Sequence, residues 1–246
     1  MEVKNNPAGR IHDILVAARD HPDDMRAKKV WAAVFGVDEK DIGTLLEMHA
    51  DLISTLAEAK AAIAREDDLD HELHLQPFKE LEALLAETHL DVPWRSVKGR
   101  LNDKLLLGLR HSADRLARSS QFKQIKSDAL ESLRKEVEDL ISAVLNAEIP
   151  QGVKAELLEH LERFRHAVVA YRIRGVEGLS AEVKHGVGVF VIEGDRLKNA
   201  PEKERSLWKR YGDIVQHAND VVTFARNAKE LAVPALALLS NWLKGG

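Results

Sequence analysis

Arg100, Lys104, His111, Arg115 and Arg118 recur at steps of four, seven, four and three residues. On a helix this spacing gathers them into one cationic strip, with Leu101, Leu105, Leu109, Ala113 and Leu116 on another. A basic strip beside an apolar one suits phosphates, an anionic lipid surface or an acidic protein partner. The strip also has a partner within the sequence. Residues 38–91 hold fifteen Asp and Glu against four Lys and Arg, a net of -11, whereas residues 95–126 hold nine against two, a net of +7. The two blocks either serve separate partners or lie along one another. Nucleic acid is the weakest of these partners, because no aromatic side chains interleave with the cations to stack bases.

A second grouping is Asp67, Asp70, His71 and His74, whose spacing shares one helical face. Carboxylates with imidazoles suit a divalent metal, and the competing reading is an acidic joint between two helices. A di-iron bundle needs two Glu-x-x-His steps, and the sequence offers one, Glu182 with His185. His12-Asp13 resembles the central dipeptide of HD-type phosphohydrolases, without an upstream histidine to complete a metal set. Arg210 with His217, and Arg65 with His71, resemble the Arg-x(4–6)-His motif of HEPN ribonucleases, which are helical bundles. The resemblance implies RNA cleavage by paired Arg and His in a toxin or defence setting. The chain departs from that motif at Tyr211, where a polar residue commonly follows the Arg.

Other chemistries are excluded by composition. The 246 residues include no cysteine, which removes disulfides, thiol catalysis and cysteine-ligated metal centres. No Gly-x-Ser-x-Gly elbow, phosphate loop or dinucleotide fingerprint is present, so no cofactor is expected. The start is polar and lacks the apolar stretch of a secretory signal, which sets the expected location as cytoplasmic.

The elements that must position these residues read as helices. Apolar side chains recur at three- and four-residue steps through 38–65 (Ile42, Leu45, Leu46, His49, Leu52, Ile53, Leu56, Ala59). The same holds in 121–147 (Leu133, Val137, Leu140, Val144) and 151–173 (Val153, Leu157, Leu161, Phe164, Val168). Prolines at 22, 77, 93, 150 and 201 each precede such a segment, where a missing N–H costs nothing. About ten helices are expected, near 8–20, 22–36, 38–65, 77–89, 94–119, 121–147, 151–173, 179–192, 202–231 and 235–243. Val187, Val189 and Val191 alternate like a strand, but Leu179, Val183, Val187 and Phe190 keep helical steps, with Ser180 as an N-cap. Helix is therefore expected across 186–194, and the cluster Gly175, Gly178, Gly186, Gly188 and Gly194 marks either a joint or a close helix approach.

The fold expectation is an all-α, multi-helix bundle-like protein with short connections marked by proline. It forms one compact unit over 1–246, with a second arrangement of two packed parts, 1–175 and 176–246. The functional expectation is a cytoplasmic helical interaction or assembly protein, a scaffold or adaptor without catalysis, that works by binding a protein partner or by self-association. The rival readings are a HEPN-like ribonuclease with Arg210 and His217 as catalytic residues, and a membrane-acting effector. The latter rests on the apolar segment 221–243, which suits a core helix, an assembly helix or peripheral lipid contact.

Overall fold

The computed structural model describes residues 6–67, 70–87, 90–119 and 127–226. They form ten helices and no strand among the described residues, as the spacing predicts. These are α1 (Pro7–Arg19), α2 (Ala27–Phe35), α3 (Ile42–Ala64), α4 (His71–Ala86), α5 (Arg95–Lys98), α6 (Asp103–Ser119), α7 (Ser127–Asn146), α8 (Gln151–Val169), α9 (Tyr171–Lys198) and α10 (Glu202–Arg226). The contacts group them into two units. One holds α1 to α6 and the strip Arg172–Gly175, and the other holds α7, α8, the rest of α9 and α10.

In the first unit, Asn6 begins α1: its side-chain oxygen accepts from the Gly9 N–H at 2.8 Å, and its amide donates to the Ala113 carbonyl of α6 at 3.2 Å. Ile11, Leu15, Trp31, Leu52, Phe78, Leu81 and Leu109 fill the core. The expected helix 22–36 is shorter, because 20–26 form a turn whose backbone bonds the 90–95 connection, with the Trp94 N–H donating to the Met25 carbonyl at 2.7 Å. The expected helix 94–119 is two helices, since Asn102 caps a new start by accepting from the Leu105 N–H. Pro77 does not start a helix. Asp70 caps α4 by accepting from the Leu73 N–H, and Pro77 lies inside, packed where α6 offers the bare Gly108. A Cβ at Gly108 would stand 2.4 Å from Pro77 Cγ.

The strip Arg172–Gly175 is held by the buried Arg10. Its Nε donates to the Ile173 carbonyl at 2.7 Å, and the Thr55 hydroxyl donates to the same oxygen at 3.1 Å. Gly175 breaks α9 there with φ 64° and ψ -156°, a conformation that side chains other than glycine's rarely tolerate.

In the second unit, Leu133, Val137, Leu140, Leu157, Leu161, Phe164, Trp208, Tyr211 and Val215 are fully buried. Residues 186–194 are helical, and Ser180 is a buried residue inside α9 rather than its cap. Gly186 marks a close helix approach: a Cβ would stand 2.6 Å from Val215 Cγ2 of α10. Among the described residues, no helix is long and apolar enough to cross a membrane. Of the apolar segment 221–243, the part from 227 onward lies outside the described residues, as does the expected helix 235–243. Val221, Val222 and Ala225 are buried, and Phe224 is exposed.

Candidate functional site

The cationic strip faces the acidic block of its own unit. Arg100 pairs with Glu87 at 2.6 Å, Lys104 with Glu80 at 3.7 Å and Arg115 with Glu66 at 3.4 Å. Arg118 pairs with Asp114 one turn back on α6, and His111 is exposed. The charge separation visible along the chain is thus largely closed in space by α4 and the α3–α4 connection.

The Asp67–His74 grouping is occupied with local structure. Asp70 caps α4, His71 Nε2 donates to the Glu66 carbonyl at 2.9 Å, and Ser112 Oγ donates to the His74 carbonyl. Among the described residues, no group of three or more His, Asp or Glu is assembled as a metal set. Arg210 and His217 both lie on α10. His217 Nδ1 is 3.0 Å from both carboxylate oxygens of Glu136 on α7, and Ser132 Oγ also donates to Glu136. The carboxylate stands between hydroxyl and imidazole, so this order does not activate the serine. Burial pushes the neighbouring Asp213 carboxyl up, with Glu136 adding and Lys209 opposing.

Two arrangements were not legible as sites in the sequence. The first is on α3. Leu45, Met48, Leu52, Leu56, Ala59 and Ile63 enter the core, while Ile42, Leu46 and Ile53 are 42%, 54% and 49% exposed. At 3.6 residues per turn these three fall within about 40° of one another around the axis. Ala50, Ala57, Ala61 and Ala64, also exposed, continue the line. The helix therefore carries a second, mainly apolar face, which Lys60, bonded to Glu82 of α4, shares. Along one border run Glu47, Asp51 and Glu58, the last two engaged by Arg174 and Arg10.

The second arrangement joins α8 and α9, whose side chains meet in antiparallel rungs. Arg163 Nε donates to Glu182 at 3.0 Å, His160 Nδ1 and His185 Nε2 are 3.2 Å apart, and Arg196 donates to Glu156 at 2.8 Å. Glu182, the acid of the single Glu-x-x-His step, is thus spent on Arg163, and His185 meets another imidazole. Beside the histidines a groove of about 380 Å³ is lined by Glu156, Gly188, Val189, Ile192 and Glu193. A Cβ at Gly188 would meet nothing within 4 Å, so that glycine leaves the groove open. The His160 ring stacks on Tyr211 at 5.7 Å between centroids. Burial, then the nearby His185, holds the His160 pKa below its ordinary value, so the imidazole is neutral near pH 7. Burial pushes the Tyr211 phenol up, and its hydroxyl has no hydrogen-bond partner among the described residues.

Comparison with protein families, curated proteins and solved structures finds no match to this chain.

Proposed function

We propose that this chain is a helical assembly protein that self-associates through the exposed face of α3. The observation that carries the reading is the line Ile42, Leu46 and Ile53, three of the nine large exposed apolar side chains among the described residues, on one helix. Water leaves such a face at a gain when another apolar surface covers it. A second copy fits by size. Antiparallel pairing centred at Ile53 and Ser54 sets Leu46 of each copy against Ala61 of the other, and Ala50 against Ala57. Large side chains then meet small ones, which lets two helices approach to about 8–10 Å. One helix face is a small interface, so the association is a weak one that concentration drives.

The cationic strip does not carry this reading, because Arg100, Lys104 and Arg115 already pair with Glu87, Glu80 and Glu66. The ribonuclease reading, with Arg210 and His217 both on α10, passes to the test as a rival. Sedimentation velocity over a micromolar to sub-millimolar series should show a monomer–dimer equilibrium. The Leu46→Glu/Ile53→Glu variant should stay monomeric with an unchanged circular dichroism spectrum, because both side chains are already about half in water. A wild-type chain that stays monomeric throughout contradicts the proposal. RNA cleavage by the pure protein, lost in His217→Ala, would replace it with the rival.

A further inference from the structure

The histidine pair of α8 and α9 lies outside the assembly face and has no role in it. Two imidazole nitrogens 3.2 Å apart have room for one proton at most between them. Either one donates to the other, or both turn a lone pair toward the same point. In the second tautomer pair the separation matches that of two ligands on one metal ion. Zinc–nitrogen bonds are about 2.0–2.1 Å, and tetrahedral geometry then sets the two nitrogens about 3.3 Å apart. The surroundings add to this: the site opens on a groove with room for water ligands, and Glu156 and Glu193 line it. Glu156 stands one helical turn before His160 on α8, with its carboxylate held by Arg196.

We propose that His160 Nδ1 and His185 Nε2 form a two-imidazole site for a divalent transition ion of the zinc class, with the remaining coordination supplied from the groove by water or an exogenous ligand. Imidazole pairs select this class over magnesium and calcium, which take oxygen ligands. Two protein ligands leave positions open, unlike a closed structural site.

The test is calorimetric titration of the full chain with zinc chloride, nickel chloride and magnesium chloride, beside thermal melts. Zinc and nickel should bind at one strong site per chain and raise the melting temperature, with magnesium doing neither. His185→Gln and His160→Gln should each weaken zinc binding at least tenfold. His160 packs on Tyr211, so circular dichroism accompanies its variant, and His185→Gln carries the decision if His160→Gln unfolds. His71→Gln and His217→Gln, both engaged elsewhere, should leave the affinity unchanged. Zinc affinity undiminished in His185→Gln overturns the proposal, as does equal binding of magnesium.

Discussion

Replacing Gly175 by alanine tests how the strip 172–175 is anchored. Two costs add at this position. The backbone stands at φ 64° and ψ -156°, where a residue with a Cβ is strained by about 1–3 kcal/mol. The new methyl would also stand 2.5 Å from Arg10 Nη1, and Arg10 is only 3% exposed. The guanidinium must shift, loosening its 2.7 Å bond to the Ile173 carbonyl, a charge-assisted bond of about 1.5–3 kcal/mol. Together these predict a loss of about 3–5 kcal/mol, which for a chain of this length lowers the melting temperature by about 10 °C. Gly188→Ala is the internal control. Gly188 lies in regular helix, and its Cβ would meet nothing, so alanine should stabilise by about 0.5–1 kcal/mol. Urea and thermal unfolding followed by circular dichroism would measure both. A Gly175→Ala protein within about 0.5 kcal/mol of wild type would refute the anchoring argument.

Two further outcomes follow from the charges. His49 is partly buried among Trp31, Phe35 and Leu45, its Nδ1 donates to the Leu45 carbonyl, and desolvation holds its pKa below the ordinary value. The unfolded chain therefore binds the extra proton first, so this contribution is present above about pH 6.5 and is lost as pH falls from there toward the folded pKa. Melts at about pH 7.5 and 5.5 should show a smaller acid loss in His49→Gln than in wild type, and an unchanged loss would contradict this. Arg115→Glu places a carboxylate against Glu66, a pair 28% and 20% exposed, and should cost about 1–2 kcal/mol; Arg118→Glu, 69% exposed, should stay within about 0.5 kcal/mol. Equal effects in urea unfolding would show that the strip does not dock on the acidic block.

Much of the helical framework is legible because three- and four-residue apolar steps survive any choice of neighbours. Ser180 and Pro77 are the instructive errors. Serine suits an N-cap, and proline suits a first turn, yet tertiary packing placed both inside helices, with Gly108 making room for the Pro77 ring. The glycine cluster is legible only as a pair of alternatives, and both occur: Gly175 is a break and Gly186 a close approach. On α3 the apolar spacing is plain, but spacing alone cannot tell Leu45, which enters the core, from Leu46, which stays 54% exposed. His160 and His185 are twenty-five residues apart in no motif, and only the antiparallel register of α8 and α9 brings them together. The two blocks of charge are visible in the sequence, whereas their mutual pairing needs the packing of α4 on α6.

The absence of cysteine permits a direct test of the α3 face, because a single introduced thiol reports on one position. Ile53 lies nearest the axis of the antiparallel pairing, so the Ile53→Cys chain should form a disulfide-linked dimer under mild oxidation at micromolar concentration. Glu72→Cys, exposed on α4, serves as the collision control. Self-association through α3 should give rapid, near-complete crosslinking at position 53, suppressed by adding Leu46→Glu, against slow crosslinking at position 72. Equal rates at the two positions would contradict self-association through α3.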